Sequence, residues 1–385
     1  MQTKYWSWTL HFYQPPTQEP WITKTVLKSC YLPLLRILSK KSGFGLTINV
    51  SGSLIAQLKK LKEDEFFDLL KKLSSEGKIE IISSAMYHPL IPITQKDTVI
   101  RQIKKNNQIL KNVLGCGRTN GFFPPELAVD SRSLDLIDSK YILVDETSID
   151  KKLKIQDSIV KYGKKYLLVN NRKVCEIMRA HRRELFAKKV ADLVLRNTDK
   201  AGLIVTANDA EIFGHHFSER LHLLADLLDS KEIKFIKAAD AVAKFGNQAT
   251  TISGVKASTW DINQGFSLWN KNVLQKKYLK LLQSIYRFAS ESLNDTAVNF
   301  FDEGNSSCYL FWLSNWPWWH PGLADEGATQ LMKCIRSLPV PGKEKIRIEK
   351  IYFDLLKDMW QYHWLGKAKI KYKEHYEKIL APKEK

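Results

Sequence analysis

Asp209, Glu211, His215 and His216 fall together at the end of the apolar run Leu203-Ile-Val-Thr-Ala-Asn-Asp209. Two carboxyls and two imidazoles so placed could move protons, hold hydroxyl groups or ligate a metal ion. While the chain stays extended, the two-residue period of a strand puts Asp209 and Glu211 on one side. Three more apolar runs end the same way. "YWSWTLHFYQPP" delivers His11, Tyr13 and Gln14; "GKIEIISSAMYHPLIP" carries Glu80 and His88; and "GFFPPELAVD" carries Phe123 and Glu126, with two prolines fixing the chain ahead of the carboxyl.

Each residue alone has an ordinary explanation. Asp209 could cap a helix beginning near Glu211, and His11 could be a hydrogen-bonded core histidine. Four polar strand ends in one chain favour a site. His11, Asp209, His215 and His216 could also serve zinc, as in a metal-dependent deacetylase, but the chain has no His-x-x-x-His or His-x-x-Glu-His spacing. Tryptophan is absent between Trp21 and Trp260 and then clusters in "CYLFWLSNWPWWHP". Indole faces pack in cores and also stack on the C–H faces of sugar rings, and Trp260 and Trp312 are the strongest candidates for the second use.

Elements that could bring these residues together are legible up to about Asp240. "YWSWTLHF", "GLTINVSG", "KIEIISSA", "TNGFFPPE", "YILVDE", "LIVTAND" and "IKFIKAAD" read as strands bounded by Gly, Pro, Asn or Asp. Between them, "VLKSCYLPLLRILSKK", "TVIRQIKKNNQILKNVLG" and "SERLHLLADLLDS" have helical spacing. This alternation predicts an α/β fold with a parallel sheet, and the strand count favours a barrel. The carboxyl ends of all parallel strands open on one face, so distant residues would converge there. Beyond "GVKAS", a short strand, long helical patterns dominate. The predicted division is a barrel domain over 1–250 and a helical domain over 251–385 that completes the cleft.

Composition narrows the class. Hydrophobic residues at 44% and charged residues at 26% predict a folded globular chain. The N-terminal sequence has no signal-peptide pattern and no apolar run could span a membrane, so a cytoplasmic protein without membrane partners is expected. Five cysteines without a Cys-x-x-Cys pair point to buried thiols rather than disulfides or zinc. The net charge of +19 would attract polyanions, but the lysines follow amphipathic helix faces and no nucleic-acid-binding pattern occurs. The basic "KAKIKYKEHYEKILAPKEK" reads as a helix end and tail.

In order, the motifs resemble those of glycoside hydrolase family 57, the retaining enzymes of α-glucan metabolism. "HFYQP" is similar to the family's His-x-His-Gln-Pro, "GKIEII" to Gly-Gln-x-Glu-Ile, "GFFPPE" to the motif ending in the nucleophile, and "NDAEIFGHH" to the motif carrying the acid. "ASTW" and "SSCYLFWLSNWPWW" resemble its C-terminal motifs. The resemblance implies an incomplete (β/α)7 barrel followed by a helical bundle, an α-glucan substrate, no metal and no cofactor. It implies Glu126 as nucleophile and Asp209 as general acid/base, with His11, Glu80 and His88 on sugar hydroxyls. Glu211 and His216 would stand behind Asp209 or touch the sugar. Retention asks for carboxyls about 5–5.5 Å apart, and an ionised Glu126 would raise the pKa of Asp209. Tyr13 stands where the family usually has its second histidine, and Phe123 where many members have tryptophan. Both would change contacts to the sugar nearest cleavage. A non-catalytic carbohydrate-binding protein of the same fold is the alternative reading. "FGHH" is closer to amylase-like than to branching-enzyme members.

Overall fold

The computed structural model describes residues 3–117, 119–153, 156–179, 185–261 and 265–371. Strand β1 (Lys4–Phe12) shows how the sheet is built. Trp6, Trp8, Leu10 and Phe12 face one way, into the largest apolar core, which also receives the helical residues Leu34, Leu35, Leu38, Leu54 and Phe66. Ser7, Thr9 and His11 face the other way and are buried as polar groups inside the barrel. Trp6 and Trp8 stack at 4.4 Å. Their indole N–H groups donate to Thr206 Oγ1 (2.7 Å) and Asn208 Oδ1 (3.1 Å) on the neighbouring strand, so these large side chains bury apolar area without orphaning a donor.

Besides β1, the strands are β2 (Leu46–Val50), β3 (Ile79–Ile82), β4 (Gly121–Phe122), β5 (Tyr141–Asp145), β6 (Ile159–Tyr162), β7 (Lys165–Asn170), β8 (Leu203–Asp209), β9 (Ile233–Ile236) and β10 (Thr250–Ile252). Seven of them, in the order β3-β2-β1-β8-β7-β5-β4, run parallel with helices around them as an incomplete barrel. The sheet is not closed. β7 and β8 share only the pair Asn170↔Val205, and β3 meets β4 only through the bridge Ser83↔Phe122.

The membership of the barrel differs from the sequence expectation in one strand. β6 and β7 form an antiparallel hairpin that the strand reading passed over, and β7 completes the seven. "IKFIKAAD" does form β9, but β9 pairs only with the first half of β1, Lys4–Ser7. The chain then enters the helix Ala238–Phe245. Ala238, Ala241, Val242 and Phe245 of that helix pack with Leu143, Leu168 and Val205, filling the interior below the strand ends.

The chain forms two compact units. The first comprises 1–14, 18–86 and 91–265; the second comprises 15–17, 87–90 and 266–385. Residues 255–260 belong to the first because they lie against the chain after β4, with Val129 and Ser258 forming an antiparallel bridge. The second unit is helical. Its main helices are Val273–Ser290, Asp295–Gly304, Pro321–Arg336 and Gly342–Trp364. Asn272 and Gln275 close a capping box at the start of the first of these, whose Leu274, Tyr278, Leu281 and Ile285 are buried. Residues 372–385 of the basic C-terminal run lie outside the described residues. Cys30, Cys175, Cys308 and Cys334 are buried and Cys116 is partly buried; all five are thiols. Among the described residues, no helix is long and apolar enough to cross a membrane.

Candidate active site

Strand register sets the level of the site. His11 is paired with Asp209 on β8 and with Asn49 on β2. Asn49 Nδ2 donates to the carbonyls of Ile82 (3.1 Å) and Ser83 (3.2 Å), which leaves Asn49 Oδ1 as an acceptor. That oxygen lies 2.7 Å from His11 Nδ1, so the proton belongs on Nδ1, and Nε2 of the neutral ring is an acceptor. Burial pushes the His11 pKa below its ordinary value against the opposing pull of Asp209, Asn49 and Glu211. The ring stacks on Phe123 at 4.4 Å and on Tyr13 at 5.7 Å.

Glu126 sits on a sharp turn. Pro124 and Pro125 accept from the N–H groups of Leu127 (2.8 Å) and Ala128 (3.0 Å), and Glu126 itself is left-handed at φ 61°, followed by Leu127 at 47°. Such a backbone costs roughly 1–2 kcal/mol per residue, so other contacts must hold it. Trp260 supplies two: its backbone N–H donates to Glu126 O at 3.0 Å, and its indole Nε1–H donates to Glu126 Oε2 at 2.8 Å. Burial pushes the Glu126 carboxyl up to about 7; the Trp260 bond opposes this, Asp209 and Asp261 add to it, and Arg179 opposes it.

Asp209 ends β8 and precedes the single turn Ala210–Ile212, but its side chain makes no capping bond there. The cap explanation thus fails. Beyond it, Glu211 is anchored: Oε1 accepts from Gln14 Nε2 (2.5 Å) and Tyr31 OH (2.9 Å), and Oε2 lies 3.4 Å from His216 Nε2. The bond to Glu211 raises the His216 pKa. His215 lies 3.4 Å from Ser29 Oγ and is pushed down by burial. Gly214 has φ +121°, and a Cβ there would collide with the Ser29 carbonyl oxygen, so only glycine fits. Ser29 and Tyr31 come from the π-helical turn Leu27–Tyr31, whose extra residue per turn re-aims side chains.

The structure brings His11, Tyr13, Phe123, Glu126, Asp209, Glu211, His216 and Trp260 to one region of the first unit. Glu80 is level with Thr47 on β2, two residues and about 7 Å below the His11 layer. It accepts from the Tyr141 hydroxyl and from Ala239 N–H (3.0 Å). It also lines a cavity of about 340 Å³ with Gly77, Asn120 and Lys237; Gly77 and Asn120 lie just ahead of β3 and β4. His88 and Trp312 belong to the second unit. There His88 Nδ1 lies 2.9 Å from Ser307 Oγ and Trp312 packs edge-on against Tyr309 at 5.9 Å. Arg179 lies over the Trp260 ring at 4.5 Å, and the Trp260 indole N–H serves Glu126. Residues the sequence reading missed are Asn49, Tyr31 and Arg179. Asn49 had a signal, a lone amide in "LTINV" with the same facing as Thr47. Among the described residues, no three His, Cys, Asp or Glu side chains cluster as metal ligands.

Strand-end carboxyls thus meet an imidazole between aromatic rings on an incomplete parallel (β/α) barrel. The model of glycosyl hydrolase family 57 matches residues 4–256, and the chain belongs to that family. It is 30% identical over 111 residues to Alpha-amylase 1 of Dictyoglomus thermophilum, covering 29% of this chain and 16% of that protein. It is 26% identical over 141 residues to the 4-alpha-glucanotransferase of Thermococcus kodakarensis, covering 36% and 21%. The matched stretches thus span about a fifth or less of these relatives. In fold, the chain is similar to the GH57-type branching enzyme of Pyrococcus horikoshii, with a TM-score of 0.71 at 16% identity over 91% of this chain and 94% of that one.

Proposed function

We propose that the protein is a retaining glycosidase or transglycosidase of α-linked glucans, with Glu126 as nucleophile and Asp209 as general acid/base. The observation that carries this reading is the Glu126 carboxyl held by the Trp260 indole N–H in the field of Asp209. Glu126 in its ionised form attacks the anomeric carbon while Asp209 gives a proton to the departing oxygen. Bond formation removes the Glu126 charge. Asp209, left as a carboxylate once its proton has gone to the departing oxygen, takes a proton from water or from a sugar hydroxyl as that oxygen attacks the anomeric carbon and releases Glu126. His11 Nε2 accepts a hydroxyl proton of the sugar, its orientation set by Asn49. Phe123 and Tyr13 flank that imidazole and would shape the space for the sugar being cleaved.

The test is a time course with maltoheptaose, resolving product lengths, with Glu126→Gln and Asp209→Asn run beside the wild type. Shorter products alone identify a hydrolase, and longer ones as well a transferase; both activities disappear in the two variants. Full activity in both variants would overturn the reading.

A further inference from the structure

Residues 255–260 run alongside the chain after Glu126. Ser258 and Val129 exchange both backbone hydrogen bonds, at 3.0 and 3.1 Å, and Trp260 N–H donates to Glu126 O. Successive carbonyls of an extended chain point to opposite sides, so the Thr259 carbonyl points away from Glu126. There it meets Arg172, whose Nη2 donates to it at 2.5 Å. The Nε of the same guanidinium donates to Asp145 Oδ1 at 2.7 Å. Asp145 is the last residue of β5 and is fully buried; it also accepts from Asn170 Nδ2 at 3.2 Å and from Thr147 Oγ1 at 2.7 Å. Arg172 follows the end of β7 and is itself only 14% exposed.

A buried ion pair alone would need only one arm of the guanidinium. The second arm joins two barrel strand ends to the backbone one residue from the indole that bonds Glu126. A planar guanidinium can hold a carboxylate and a carbonyl in fixed relation, and an ammonium cannot. We propose that Arg172 is a positioning residue for the reaction: it fixes the Thr259 carbonyl and thereby holds the Trp260 indole N–H on the Glu126 carboxylate. This rests on Glu126 being the reacting carboxyl.

The test is a double-mutant cycle of Arg172→Lys and Trp260→Phe, read by titrating the Glu126 carboxyl with [13C]carboxyl-glutamate NMR, its resonance assigned by Glu126→Gln. The groups facing Glu126 are Asp209, Asp261, Arg179 and Trp260; those facing Arg172 are Asp145 and Glu146. All but the two under test are unchanged in the cycle. Arg172→Lys keeps a cation beside Asp145. Should it fail to fold, Asp145→Asn with Arg172→Gln removes both charges together. The expected result is an upward shift of the Glu126 midpoint by roughly one pH unit, a fall in kcat at pH 7 with KM little changed, and no further shift when Trp260→Phe is already present. A midpoint unmoved by Arg172→Lys, or shifted equally in both backgrounds, would overturn the positioning role. A shift that needs Trp260, in a protein that turns over no glucan, would uphold that role and refute the functional reading instead.

Discussion

Trp260→Phe isolates the bond on which the charge of Glu126 depends. Phenylalanine keeps a ring for Arg179 and Phe123 to pack against but removes the Nε1–H that lies 2.8 Å from Glu126 Oε2. A hydrogen bond to a charged group contributes about 1.5–3 kcal/mol, which at 1.36 kcal/mol per pH unit is about one to two units. The bond favours the ionised carboxylate, so its loss raises the Glu126 pKa from about 7 to roughly 8–9. At pH 7 the ionised fraction then falls from about a half to between about 10% and 1%. The activity kcat/KM on maltoheptaose should drop by roughly 5- to 50-fold at pH 7, and the acid limb of its pH profile should move up by the same one to two units. The assay is that profile from pH 5 to 10 for both proteins. Were Glu126 the proton donor, the variant would keep its rate at pH 7 and gain activity on the alkaline side. That outcome, or an equal loss at every pH, would refute the reasoning.

Glu126→Gln should stabilise the fold above pH 7. The folded pKa is raised, so the wild type loses stability as pH climbs from the unfolded value through about 7. The full shift corresponds to about 3 kcal/mol, and roughly 1–2 kcal/mol is expected once solvent access is allowed for; urea melts at pH 8 and pH 5 check it, and the gain should vanish at pH 5. Glu211→Gln should lower the His216 pKa towards its ordinary value, because the carboxylate that raises it is gone; imidazole NMR titration reads the change. Gly214→Ala should destabilise the protein by about 2–4 kcal/mol, combining a left-handed backbone with a collision against the Ser29 carbonyl, as thermal melts would show.

Much of the barrel was legible because its strands are apolar runs ending in turn residues. "YWSWTLHF" and "LIVTAND" became β1 and β8 almost residue for residue. The hairpin β6–β7 was passed over because Lys161, Lys164 and Lys165 break its pattern, although the two-residue Gly163-Lys164 turn was a signal. Asp209 and Glu126 were readable from local sequence, since a strand end and a Pro-Pro turn are local features. The partners that fix them were not. Trp260 is 134 positions from Glu126, and Tyr31 is 180 from Glu211; only register and packing bring them together. Glu80 shows the opposite error. Its motif marks a buried carboxyl correctly, but counting along β3 against His11 puts it a layer lower, where it ties Tyr141 and the helix Ala238–Phe245 to the barrel.

The central claim is that Glu126 becomes covalently bonded to sugar. The most direct measurement is to incubate the protein with 5-fluoro-α-glucosyl fluoride, which forms a glycosyl-enzyme faster than it is hydrolysed, and to map the adduct by peptide mass spectrometry. The account predicts one fluoroglucosyl group on the peptide carrying Glu126, located to that side chain and absent from Glu126→Gln. An adduct on Asp209 or Glu211, with Glu126 unmodified, would contradict it.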